Sequence, residues 1–179
     1  RGRSRQGPSR SCGVSDLAAI AHANQLCNMY GLDTISCGAT IAFAMDCYER
    51  GLLTQEQAEG LDLRFGNAAA VVELVKRIGD RRGLGDLLAE GSERAAARIG
   101  KQAEELLITV KGLEMPAHMP QVKPALGLVY AANPFGADHC SAIHDSEYTP
   151  DVAGRLRTYL GQLDLHNPQP LRSLNTEKA

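Results

Sequence analysis

The stretch NMYGLDTISCG, residues 28–38, joins two segments that both read as helix, and its reading decides how the chain is built. Upstream, Leu17, Ile20, Ala21, Leu26, Cys27 and Tyr30 keep near-helical spacing behind Ser15, a residue type that caps helices. Gly31 suits the left-handed position that ends such a helix. Asp33 can then cap a second helix from Thr34 to about Arg50, stopped by Gly51. The run ISCGATIAFAM, residues 35–45, has almost no polarity, so this second helix is apolar nearly all round and is expected at the centre of a core.

Helical signals continue outward. TQEQAEG (54–60) opens with a capping box, Thr54 with Gln57, and predicts a short helix closed by Gly60. LDLRF (61–65) reads as a short strand or an extended connector. Asn67 caps a helix with Ala70, Val71, Leu74, Val75 and Ile78 on one stripe. In the following stretch Gly83, Gly85, Gly91 and Gly100 break the chain into short pieces, Ser92 to Ile99 being the last clear helix. LLITVKGLEMPAH (106–118) predicts one extended segment. Beyond Pro116, prolines 116, 120, 124, 134 and 150 space out a loop-rich region around one helix-like piece, ALGLVYAA (125–132). A further helix is expected across DVAGRLRTYL (151–160) into GQLDLHNPQP, dissolving at Pro168 and Pro170. The fold class is therefore mainly α, multi-helix, with little β. The expected divisions are a leader at 1–11, a helical domain at 12–115, a loop-rich helical segment at 116–166 and a tail at 167–179.

Bulk properties exclude several function classes. The chain has 179 residues, enough to bury a core, with 44% apolar and 22% charged residues. A net charge of −2 gives no pull toward nucleic acid or an anionic membrane. The basic start RGRSRQGPSR (1–10) reads as a disordered or non-native leader, without the apolar core of a secretory signal. The longest apolar run is well short of the ~20 residues that a membrane span needs. These features place the protein in the cytoplasm, with no nucleic-acid or membrane partner. Five cysteines, 12, 27, 37, 47 and 140, are an odd count without a C-x-x-C pair, which argues against a disulfide framework or a sulfur metal knot. Cys27, Cys37 and Cys47 recur every ten residues, but that spacing falls about 80° off a common helix face. They read as small buried hydrophobes.

Two places carry candidate chemistry. Asp138, His139, His144, Asp145 and Glu147 fall within ten residues, yet H-x4-H is not the i, i+4 spacing that pairs histidines on a helix. A polar loop facing solvent or a cavity is the preferred reading over a metal site, with one histidine beside Asp138 available as proton donor or acceptor. Asp33 is the second place. As a cap it is worth ~1 kcal/mol. A spare carboxylate oxygen would alternatively accept a planar donor pair, such as the amino-pyrimidinone edge of a pterin. Spacing alone favours the cap. Gly83-x-Gly85 reads as a tight helix corner rather than a phosphate loop, and His22 and His166 as surface or interface positions.

Four quoted stretches, ANQLCNMYGLDTISCGATIAFAMDCYERGLLT (23–54), LDLRFGNAAAVVELVKRI (61–78), GLGDLLAEGSERAA (83–96) and VKGLEMPAH (110–118), closely resemble the aldehyde ferredoxin oxidoreductase family. The likeness runs in order from about Cys12 to Tyr148. It implies an enzyme that oxidises aldehydes to carboxylic acids on a tungsten- or molybdenum-bispterin cofactor, with electrons leaving through a [4Fe-4S] cluster to ferredoxin. It also implies that this chain is part of the helical C-terminal half. In the family a D-x-x-G-L-D segment grips one pterin. Here it reads Asn28-Met29-Tyr30-Gly31-Leu32-Asp33, so Asn28, Leu32 and Asp33 are the implied cofactor-binding residues, with an amide replacing the first acid. The resemblance places His139, in GADHC, near the metal, and Phe135 where an arginine often stands. Some members hold iron at a homodimer interface through Glu-x-x-His on the first helix. That stretch is His22-Ala23-Asn24-Gln25 here, so the iron is not carried over.

The family's cluster cysteines, C-x-x-C-x-x-x-C upstream and one beyond the other end, have no match in this chain, nor has its N-terminal β domain. A family glutamate would fall near Arg3. The expectation is a fragment, from a frameshift or a partial sequence, inactive by itself and without an iron–sulfur cluster. The alternatives are a non-enzymatic helical scaffold or interaction module, or a subunit fragment of a related carboxylate or aromatic-acid reductase complex.

Overall fold

The computed structural model describes residues 11–142 and 144. The chain divides into two compact units, Arg1–Ala117 and His118–Ala179, and each is taken by itself. The leader at 1–10, the helix expected from 151, His166 and the tail lie outside the described residues, as do Asp145 and Glu147.

In the first unit α1 spans Leu17–Tyr30. Its cap is Asp16, one residue later than expected, because the extended backbone there brings Oδ1 to the amides of Ala18 and Ala19 at 2.9 and 3.1 Å. Gly31 closes the helix at φ 70°, with its own N–H on Asn28 O at 3.3 Å and the Leu32 N–H on Cys27 O at 2.8 Å. That is a Schellman motif, and a glycine meets its left-handed residue without strain. Helix α2, Thr34–Glu49, buries Cys37, Gly38, Thr40, Ile41, Phe43, Ala44, Met45 and Cys47. Residues at 43, 44 and 45 cannot share one face, so α2 is enclosed, as its composition demands.

The capping box forms, Thr54 N to Gln57 Oε1 at 2.9 Å and Gln57 N to Thr54 Oγ1 at 3.1 Å. It opens only turns and no helix, because Glu59 at φ 52° and Gly60 at φ 78° end the run. Residues 61–64 are an unpaired extended connector that buries Leu63. Helix α3, Ala68–Gly79, is capped by Asn67 and turns Ala70, Val71, Leu74, Val75 and Ile78 into the core, which matches its sequence stripe. Short helices follow at Leu84–Leu88 (α4), Ser92–Ile99 (α5) and Lys101–Glu104 (α6). A Cβ on Gly85 would overlap the Arg77 carbonyl, so this glycine permits the close approach of α4 to α3.

The expected single extended segment at 106–118 is instead a small hairpin. Strand β1, Thr109–Val110, pairs antiparallel with β2, Leu113–Glu114. Lys111 and Gly112 both take positive φ, 54° and 79°, which folds the segment back on itself. Helix α2 packs against α1, α3, α4, α5 and β2, so the core of this unit is built around it.

The second unit contributes α7, Pro124–Ala132, with proline at its first position and Ala125, Leu126, Val129 and Tyr130 buried. Among the described residues no helix is long and apolar enough to cross a membrane.

Candidate functional site

The corner between α1 and α2 gathers Asn28, Leu32 and Asp33. Asn28 and Asp33 are exposed and Leu32 is half-buried. Asp33 caps α2 through Oδ1 alone, which accepts from Ile35 N at 3.1 Å and Ser36 N at 2.7 Å. Among the described residues nothing bonds its Oδ2. The Leu32 N–H is consumed by the Schellman bond, and no bond to its carbonyl is seen among the described residues. The corner thus offers one carboxylate oxygen, one carbonyl and one side-chain amide. That set suits a ligand edge rich in N–H donors, and a pterin edge is one.

Beneath the corner lies sulfur. The thiols of Cys27 and Cys37 interact with each other, which draws Cys27 down and, together with burial, pushes Cys37 up. Cys12 donates to Gly38 O at 3.4 Å, and burial pushes its thiol up to about 12. The ten-residue period marks no helix face; the corner between two helices is what joins Cys27 to Cys37.

The second unit builds its own cluster around His139. The His139 ring centroid lies 5.1 Å from that of His118 and 5.7 Å from that of His144, and the latter two are 4.5 Å apart. The lack of i, i+4 spacing does not prevent convergence, because a loop rather than a helix carries these residues. Sequence does not single out His118, since no spacing rule links positions 118 and 139. Its anchor is the Tyr130 hydroxyl on α7, which donates to His118 O at 3.2 Å. Asp138 closes the loop: Oδ1 accepts the Cys140 N–H at 2.9 Å and Oδ2 the Ser141 hydroxyl. These bonds, the Ser141 hydroxyl first, hold its carboxyl below the usual range. Burial pushes the Tyr130 hydroxyl up to about 12, aided by Asp138, so this tyrosine stays protonated.

His22 stands on the exposed side of α1, lining a groove of about 460 Å³ with Asp16, Val72, Glu73 and Lys76. Lys111-Gly112 is only the hairpin turn.

The family model for aldehyde ferredoxin oxidoreductase, domains 2 and 3, matches residues 8–176. Tungsten-containing aldehyde ferredoxin oxidoreductase of Pyrococcus furiosus is 40% identical over 156 residues, 87% of this chain and 24% of the relative. The enzyme of the same name from Thermococcus kodakarensis is 39% identical over 156 residues, with the same coverage. An aliphatic sulfonate oxidoreductase, WOR-like subunit, of P. furiosus is 33% identical over 148 residues, 78% of this chain. Among solved structures, the active-site complex BamBC of benzoyl coenzyme A reductase with 1,5-dienoyl-CoA matches at TM-score 0.59 and 29% identity, covering 71% of this chain and 20% of that one. The chain spans 24% of the length of the curated aldehyde oxidoreductases that it matches.

Proposed function

The chain belongs to the aldehyde ferredoxin oxidoreductase family, and on that premise we propose that it supplies the pterin-holding corner and a proton-handling histidine of an oxidoreductase converting aldehydes to carboxylic acids. A tungsten- or molybdenum-bispterin centre, when bound, supplies the two-electron chemistry. The relatives named as tungsten-containing favour tungsten.

The observation that carries the reading is the half-used carboxylate of Asp33. A helix cap needs one acceptor oxygen, and Oδ1 provides it. Oδ2 remains at the surface, fixed in direction by the cap, and accepts N–H donors from one pterin edge. Leu32 O adds a second acceptor beside it. Asn28 keeps the position of an acid but accepts one bond and donates another, so its hold is weaker than that of a carboxylate.

In the second unit, His139 takes up or returns a proton at a ring nitrogen, as imidazole can near neutral pH. His144 and Asp138 hold its loop. A [4Fe-4S] cluster, held by ligands other than these five cysteines, would supply the electron exit to ferredoxin, and the proposed setting is the cytoplasm. The likeness to BamBC and to the sulfonate oxidoreductase supports a second reading, a subunit of a related reductase complex acting on another substrate.

The test is expression of the longest natural reading frame containing this chain, anaerobically and with tungstate. Tungsten and pterin should co-purify, and aldehyde should reduce a viologen dye. Asp33→Ala should lose tungsten and pterin while staying folded. Full cofactor content in that variant would sink the assignment of the corner.

A further inference from the structure

The loop at 138–141 carries a donor set that the cofactor reading uses only in part. Asp138, His139 and Cys140 each offer one ligand atom, a carboxylate oxygen, an imidazole nitrogen and a sulfur, and these lie within 4.8 Å of one another. Cys140 Sγ stands 3.8 Å from His139 Nε2. The Cys140 N–H and Ser141 hydroxyl each donate to one Asp138 carboxylate oxygen and hold the group in place, as supporting hydrogen bonds do around metal ligands.

His144 belongs to the frame rather than to the donor set. Its Nδ1 is 3.0 Å from Lys123 Nζ and its Nε2 is 2.9 Å from His139 O. An ammonium only donates, so Nδ1 accepts and Nε2–H donates to the carbonyl, and both ring nitrogens are spent. The result is a loop held at His139 O from one side and at Asp138 from the other. Three donors of different softness project from it.

We propose that Asp138, His139 and Cys140 form a binding site for one divalent cation of the zinc class, with three protein ligands and a fourth position open to solvent. A sulfur, nitrogen and oxygen set favours Zn²⁺ or Co²⁺ over Mg²⁺ or Ca²⁺, which take oxygen ligands. Tetrahedral zinc with bonds of about 2.0–2.3 Å sets its ligand atoms roughly 3.5 Å apart. Cys140 Sγ and His139 Nε2 already stand near that separation at 3.8 Å, and the set as a whole, within 4.8 Å, closes by about 1 Å on binding. On binding, the thiol proton leaves to solvent and the thiolate and carboxylate balance the two cationic charges. The cation takes a lone pair of His139, so a loaded site removes that ring from proton handling. The inference does not depend on the pterin assignment, because its readout is the cation on the chain.

Cobalt(II) is the probe, titrated anaerobically into the full chain. One equivalent should bind with a sulfur-to-cobalt charge-transfer band in the near ultraviolet, and Zn²⁺ should bleach it. Cys140→Ala should abolish the band, and His139→Ala should weaken binding about tenfold or more. Cys140 is exposed, so its replacement removes no core contact, and far-UV circular dichroism checks each variant. No thiolate band in the wild-type chain would overturn the proposal. So would a band that survives Cys140→Ala, because the cobalt would then sit on the buried cysteines. Tungsten retention by Asp33 variants tests the pterin reading separately.

Discussion

Thr40 on α2 donates its hydroxyl to Glu114 Oε1 at 3.1 Å, a buried bond between residues 74 positions apart in sequence. The same oxygen accepts the Ser92 N–H at 2.9 Å and the Ser92 hydroxyl at 3.0 Å. One carboxylate therefore caps α5 from outside the helix and ties the hairpin to the central helix. Glu114→Ala leaves three buried donors unmet and should cost about 3 kcal/mol. Glu114→Gln keeps a carbonyl acceptor and should cost less. Urea unfolding of both variants gives the comparison, and equal stability of the two would refute the shared-acceptor account. Thr40→Val combined with Glu114→Ala should cost less than the sum of the single changes, since both remove one bond.

Asp33 should separate cap from ligand. Asn is as good a cap as Asp, so Asp33→Asn should change the unfolding free energy by only a few tenths of a kcal/mol, whereas Asp33→Ala should cost about 1 kcal/mol. Both remove the charge offered to the pterin edge, so both should lower tungsten content in the cofactor-loaded protein. Asn28→Asp should act in the opposite direction and raise cofactor retention. A loss of tungsten that tracks stability rather than charge would leave Asp33 as a cap only.

Gly85 should be the least replaceable glycine of the first unit. An alanine Cβ there would overlap the Arg77 carbonyl carbon and oxygen, and backbone cannot step aside as a side-chain tip can. At Gly51, with φ 73°, a Cβ would have nothing within 4 Å, so a substitution meets only backbone strain. Gly85→Ala should therefore cost about 3 kcal/mol or more by separating α3 from α4. Gly51→Ala should cost about 1 kcal/mol. Thermal melts of the two variants measure the difference.

Local chemistry explains what the sequence discloses and what it withholds. The Asn67 helix is legible because its apolar residues repeat with the helical period. The corner is legible because a glycine suited to positive φ is followed two residues later by a cap. The hairpin is not, because two-residue strands carry almost no periodic signal, and Lys111 is not a residue type that announces positive φ. Nor is the choice of Asp16 as cap, because Ser15 is an equally good cap by type and only backbone geometry decides between neighbours. The capping box announces its hydrogen bonds correctly but not a helix, since Glu59 and Gly60 end the run after the box. At the candidate site, Asp33 and His139 follow from family likeness, whereas His118 requires the fold. Contact across 21 positions, through loops anchored by Tyr130 and Lys123, has no signature in one sequence.

The buried thiols set an alkaline limit on stability. In the folded chain burial pushes Cys12 from 9.0 up to about 12. Below pH 9 the thiol is protonated in both folded and unfolded chains, so its contribution is constant. Above pH 9 the unfolded chain releases the proton and the folded chain retains it. The native state then binds more protons, so stability falls as pH rises through the window from 9 to about 12. Three pH units correspond to about 4 kcal/mol for a fully buried group. Cys47, raised to about 11 mainly by burial, adds to the same slope. Other groups titrate in this range, so the decisive quantity is the difference between the wild-type chain and Cys12→Ala. The variant starts less stable but should lose less stability between pH 9 and 12, and the two curves should converge. Parallel curves in urea unfolding across that range would mean that Cys12 reaches water in the folded chain.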